Sequence, residues 1–184
     1  MEDLSLYILD IAQNSISASA TVIEIFVIED EEKDKLVLTI RDNGKGMDPK
    51  TVERVTDPFY TTRTTRKVGL GLSLLDAAAK ACGGSVVVDS QLGVGTEVRA
   101  EFGYRSIDRP PLGKMDDTIA TLVACNPMVD FVYTHNTSRG TFKFDTRDVR
   151  QKIEDLPIEH PDIINWIGCY IREGLNVICG GGNT

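Results

Sequence analysis

A chain of 184 residues, 41% hydrophobic and 26% charged, with 16 glycines and 7 prolines, has the make-up of one globular domain plus a small appendage. Twenty basic against 28 acidic side chains leave a net charge of −8, a poor basis for gripping a polyphosphate backbone, so no nucleic-acid partner is expected. No apolar run is long enough to cross a bilayer, and Glu2 and Asp3 stand where a secretory signal would be basic. The four cysteines (Cys82, Cys125, Cys169, Cys179) form no CxxC pair, so the expectation is a cytoplasmic chain whose cysteines are small buried hydrophobes.

Leu4, Ile8, Ile11, Ala12 and Ile16 recur at helical spacing and predict an opening amphipathic helix. Thr21 to Ile28 is dense in β-branched residues and reads as a strand, followed by an acidic tip and a second strand from Leu36 to Ile40. Asp42-Asn43-Gly44-Lys45-Gly46 breaks the pattern, and Asp48-Pro49 opens a short helix. Asp57 to Val68 is polar and aperiodic, which predicts a loop. Leu70 to Cys82 is a helix stopped by Gly83-Gly84. Val86–Val88 and Thr96–Phe102 flank a glycine turn and predict a hairpin. Beyond the linker Arg109-Pro110-Pro111 come a helix (Met115 to Ala124), strands at Val129–Thr134 and Thr141–Phe144, and helices from Asp145 and Pro161. In the last of these Trp166 and Tyr170 share a stripe with Ile163 and Ile167, which predicts core positions.

Three places in this order can carry chemistry. Asp10 and Asn14 lie one turn apart on the first helix, where an amide oxygen can ligate Mg²⁺ and a carboxylate can orient or deprotonate a nucleophile; two solvated helix positions fit the same spacing. Asp42 ends a strand beside Gly44 and Gly46, offering a carboxylate acceptor for an exocyclic amine in a turn with little side chain. Gly69-Leu70-Gly71 precedes a helix, so backbone N–H groups can approach an anion at the positive end of its dipole. No GxxxxGK[ST] exists, which excludes a P-loop, and Leu74 stands where a Rossmann fingerprint needs a small residue.

The ordered set Asn14, Asp42-x-Gly44-x-Gly46, Phe59, Gly69-x-Gly71 and Gly93-x-Gly95-Thr96 resembles the GHKL ATPases, which include gyrase, the heat-shock chaperone ATPase, histidine-kinase catalytic domains and MutL-type proteins. The resemblance spans about residues 4 to 103. It implies an α+β fold: a two-layer α/β sandwich with a mixed sheet over residues 1–104, and a C-terminal α/β extension over 105–184. The extension's strands either join that sheet or form a small docking domain. The same resemblance implies ATP and Mg²⁺ as cofactors. Asn14 would be the metal ligand, Asp42 the acceptor for the adenine amine, and Gly44 and Gly46 the base pocket. Phe59, Gly69, Leu70 and Gly71 would belong to a lid over the phosphates, with Arg63 and Lys67 as phosphate partners (Arg66 is a further candidate), and Thr96 would back the adenine contact.

Asp10 occupies the position at which hydrolysing members carry glutamate, and it is the candidate catalytic base. Neither His135 nor His160 resembles a phosphoacceptor box, and no histidine-bearing dimerisation helix is present. The implied function is therefore a histidine-kinase-like or anti-sigma-kinase-like ATPase or protein kinase, acting on a protein partner or phosphoacceptor in trans; a homodimer is also compatible. The alternative is an ATP-gated binding module whose ordered lid recruits a partner with little catalysis.

Overall fold

The computed structural model describes residues 3–54, 71–153 and 156–180. The helical spacing at the start of the chain folds as α1 (Leu4–Ser17), whose apolar stripe buries Leu4, Ile8, Ile11 and Ala12. β1 (Val22–Asp30) and β2 (Lys35–Asp42) form an antiparallel pair. α2 (Pro49–Val52) is capped by Asp48, whose Oδ1 accepts from Lys50 N at 3.0 Å and Thr51 N at 3.1 Å, satisfying amides that a helix start leaves unpaired. α3 (Gly71–Ala81) leads into the hairpin of β3 (Ser85–Gln91) and β4 (Gly95–Gly103). Then follow α4 (Met115–Cys125), β5 (Asp130–Thr137), β6 (Gly140–Asp145), α5 (Thr146–Lys152) and α6 (Pro161–Cys179).

The six strands make one mixed sheet in the order β3-β4-β2-β1-β5-β6. All neighbours are antiparallel except β1 and β5, which run parallel. Because side chains alternate across a strand, registered residues form rows on one face. One such row is Val88–Val98–Ile40–Ile25–Tyr133–Phe144, and the next is Val86–Ala100–Leu38–Val27–His135–Phe142. These rows are largely buried, together with Leu75 of α3, Ile119 of α4 and Ile167 of α6. α1, α3, α4 and α6 pack on the strands, giving the α+β sandwich. The alternate face carries Glu24, Arg41, Glu97 and Arg99, none of them buried.

Two expectations change. Only Cys82 is buried; Cys125, Cys169 and Cys179 are exposed, because each lies on the outward side or at the end of its helix. Trp166 and Tyr170 are 45% and 42% exposed and stack on one another at 5.1 Å. Ile167, fully buried, takes the core position instead. A 19-residue helix presents its stripe to α4 and β6, and the aromatic pair falls at the margin of that stripe.

Candidate functional site

One further row crosses the helix-covered face at the end of the sheet nearest the α1 C-terminus: Ser90, Thr96, Asp42, Ile23 and Phe131 in register. It is the row in which polar side chains replace the aliphatic residues of its neighbours. Asp42 is held from two sides. Ser15 Oγ donates to Oδ2 at 2.6 Å, and Gly44 N donates to Oδ1 at 2.8 Å. Each carboxylate oxygen has two lone pairs, so among the described residues each keeps one acceptor site free, in a direction set by α1 and by its own turn.

Beside it, Ser90 and Thr96 hydroxyls are 2.8 Å apart, and Ser90 Oγ accepts from Met47 N at 2.8 Å. Ser90 thereby ties the glycine turn after β2 to the β3–β4 hairpin. Asn43 fixes the other side of that turn, its Oδ1 accepting from Thr21 N and Val22 N, both at 2.9 Å. Lys45 N donates to Ala18 O at 2.9 Å and Gly93 N to Lys45 O at 2.7 Å. The turn is braced by α1, β1 and the hairpin together.

The glycines serve close approach. Gly46 has φ +65° and a Cβ there would overlap the Gln91 carbonyl; Gly95 has φ +142° and a Cβ would overlap the carbonyl of Asp42. Only glycine fits both the left-handed backbone and the contact. Gly44 is tight as well, its would-be Cβ lying 2.9 Å from Ala18 O.

α1 brings its polar side to the same end. Asn14 is exposed one residue from Ser15, and Asp10, also exposed, lies one turn back. Gly71, the first residue of α3, faces Asp10: a Cβ on Gly71 would be 3.1 Å from Asp10 Oδ2. The carboxylate thus stands at the N-terminus of α3, where the helix dipole is positive. The structure therefore gathers Asp42, Gly44, Gly46 and Thr96 around one turn, and sets Asp10 and Asn14 on the helix that holds Asp42, with Gly71 beside Asp10. Phe59, Arg63, Lys67, Gly69 and Leu70 lie outside the described residues.

Sequence reasoning missed Ser15 and Ser90, which position Asp42 and Thr96. Both carried a signal: Ser15 continues the apolar stripe Ile8–Ile11–Ala12, and Ser90 continues the alternation Val86–Val88. A cleft of about 360 Å³ opens here, lined by Asp42, Ser90 and Thr96 but also by Val22, Glu24, Arg41 and Glu97. It therefore continues round the strand ends on to the other face of the sheet.

The residues present suit an adenine nucleotide and a hard divalent cation. Asp42 supplies a preset carboxylate acceptor, the glycines let the backbone strands of the turn pack closely around it, and Asn14 offers an exposed amide oxygen of the type Mg²⁺ accepts. Among the described residues no helix is long and apolar enough to cross a membrane.

Comparison with known proteins agrees with the arrangement. The chain is 36% identical over 109 residues to a putative sensor protein of Shewanella frigidimarina, covering 58% of this chain and 17% of that protein. It is 34% identical over 89 residues to the C4-dicarboxylate transport sensor protein DctB of Pseudomonas aeruginosa, covering 48% and 14%. With the sensor histidine kinase WalK of Bacillus subtilis it shares 35% identity over 80 residues, 41% of this chain and 13% of that one. The chain thus spans less than a fifth of the length of these relatives. In fold it is similar to the N-terminal domain of a DNA repair protein, with a TM-score of 0.52 and 20% identity, over 79% of this chain and 52% of that structure. Residues 2–106 match the family described as histidine kinase-, DNA gyrase B- and HSP90-like ATPases. That match covers more than half of the chain and includes Asp42, Ser90 and Thr96, so the chain belongs to this ATPase family.

Proposed function

We propose that this protein binds ATP with Mg²⁺ at the Asp42 row and acts as a histidine-kinase-like ATPase or protein kinase on a partner in trans. One observation carries the reading: a carboxylate held by Ser15 and by Gly44 N, with an acceptor site on each oxygen free among the described residues, inside a turn that only glycine can build. Such an acceptor suits the N6 amine of adenine. Thr96, held by Ser90, backs it. Asn14 would hold Mg²⁺, which supplies charge neutralisation on the phosphates when bound.

Asp10, beside Gly71 at the N-terminus of α3, is a carboxylate of the kind that can take a proton from an attacking hydroxyl or water. This chain's own two histidines have structural partners, which supports an acceptor on a second protein. His135 is 1% exposed with both ring nitrogens engaged, and His160 caps α6 through Nδ1. Phe59, Arg63, Lys67, Gly69 and Leu70 would complete the site as a lid over the phosphates.

The test is incubation with γ-labelled ATP, with and without cell extract, followed by acid treatment of labelled protein. Acid-labile label on a second protein identifies a histidine kinase, acid-stable label a serine or threonine kinase, and free phosphate alone an ATPase. ATP bound with no product would overturn the catalytic reading and leave the binding module. Failure to bind ATP at all would overturn both.

A further inference from the structure

At the opposite end of the same sheet face, three residues distant in sequence converge. Six residues along β1 separate Glu29 from Ile23 of the Asp42 row, roughly 20 Å at strand rise. Glu29 is the last residue but one of β1, His135 lies in the β5 row beside Val27, and Cys179 is the last residue of α6. A carboxylate oxygen, a ring nitrogen and the thiol sulfur of this trio all lie within 4.8 Å of one another.

The trio is anchored. His135 Nε2 is 2.8 Å from Glu29 Oε1 and its Nδ1 is 2.8 Å from the Tyr133 hydroxyl. Tyr133 is fully buried. The end of α6 is pinned to the β5–β6 turn by Thr137 Oγ1, which donates to Ile178 O at 2.7 Å.

We propose that Glu29, His135 and Cys179 bind one zinc ion, with a fourth position open to water. Sulfur, imidazole nitrogen and carboxylate oxygen are the zinc donor set, and the thiolate disfavours Mg²⁺ and Ca²⁺, which take oxygen ligands. Tetrahedral bonds of about 2.0 to 2.3 Å require donor separations of roughly 3.3 to 3.8 Å. Closing from separations of no more than 4.8 Å, and opening the 2.8 Å pair, asks for side-chain shifts of about 1 Å.

The Tyr133 hydroxyl supplies the outer support that metal-bound histidines use. It can accept from Nδ1–H, which leaves the Nε2 lone pair for the cation. A purely structural Tyr133–His135–Glu29 chain satisfies itself and has no use for a thiol. Cys179 stands at the surface and gives the ion its way in. On binding, the cation takes the Nε2 lone pair while a ring proton sits on Nδ1 facing the Tyr133 hydroxyl, and the thiol proton is released to solvent.

The chelator-stripped full chain is titrated with cobalt(II) alone, then with zinc as competitor. The expected result is a thiolate-to-cobalt charge-transfer band with intense visible absorption of a four-coordinate ion, saturating at one equivalent and erased by zinc. Cys179→Ser, a surface change that leaves the core intact, should abolish the charge-transfer band, whereas Cys125→Ser and Cys169→Ser should keep it. Tyr133→Phe should weaken binding about tenfold to a hundredfold. Absence of the band in the unaltered chain, its persistence in Cys179→Ser, or its dependence on Cys125 would each overturn the site. None of these readouts involves a nucleotide.

Discussion

Replacing Asp42 by Asn tests the nucleotide reading with little disturbance of the fold. The Asn oxygen can keep the bond from Gly44 N, which places the new amide nitrogen where Oδ2 accepts from Ser15 Oγ. Ser15 can reverse, since its hydroxyl also lies 3.2 Å from Ile11 O and can donate there while accepting from the amide. Thermal stability should therefore fall by no more than about 1 kcal/mol, or roughly 2–4 °C in a chain of this size. The ligand meets a larger change: the charged acceptor becomes a neutral amide, and a donor stands at the Oδ2 position. Loss of a hydrogen bond to a charged group costs about 1.5–3 kcal/mol, a tenfold to hundredfold weaker affinity.

Calorimetry with Mg²⁺ and a non-hydrolysable ATP analogue measures the effect, and the same titration with a purine triphosphate lacking the N6 amine controls it. The unaltered chain should bind that analogue weakly, and Asp42→Asn should weaken it little further. Equal ATP affinity in the two proteins, or an equal loss for both nucleotides, would refute the adenine assignment.

Gly95→Ala should lower stability by at least about 3 kcal/mol, seen as a drop in Tm of roughly 6–12 °C, because the new methyl strains a left-handed backbone and overlaps the Asp42 carbonyl. A drop under about 2 °C would contradict the packing of the turn. Ile167→Ala should cost about 2–5 kcal/mol in denaturant unfolding, as a fully buried aliphatic residue. Trp166→Ala should cost less than about 2 kcal/mol, since a half-exposed stacked ring gives up little more than its stacking; the reverse ranking would sink the placement of α6. Asp145 accepts from Arg147 N at 3.0 Å and pairs with its guanidinium at 2.9 and 2.7 Å, and the side-chain bond to Arg147 holds its carboxyl below the usual 3.8. A depressed carboxylate stabilises the fold fully above about pH 3.8 and loses that contribution as pH falls through the folded value. The Tm gap between the unaltered chain and Asp145→Asn should therefore narrow below pH 3.8; a constant gap across the acid range would show that the ion pair contributes nothing.

Much of this protein was legible one residue at a time. Helical spacing from Leu4, β-branched density after Thr21 and the Asp48-Pro49 start each located an element that the structure contains, because backbone period and capping are local properties. The glycines of the Asp42 turn were legible for the same reason: a left-handed backbone excludes other residues wherever it occurs. Ser15, Ser90 and His135 interrupt apolar periods, so each was visible as a polar residue on a buried face, yet Asp42, Met47 and Glu29, which they meet, lie far away in sequence.

Only the tertiary structure joined them. Ser15 meets Asp42 because α1 crosses the end of β2. His135 meets Glu29 because β5 pairs in parallel with β1, about a hundred residues apart in the chain. Trp166 lies outside and Ile167 inside because α4 and β6 occupy one side of α6. Propensity and periodicity set what each segment becomes. Which segments touch is decided by how several apolar faces are buried at once, and that sum is carried by no single stretch of the chain.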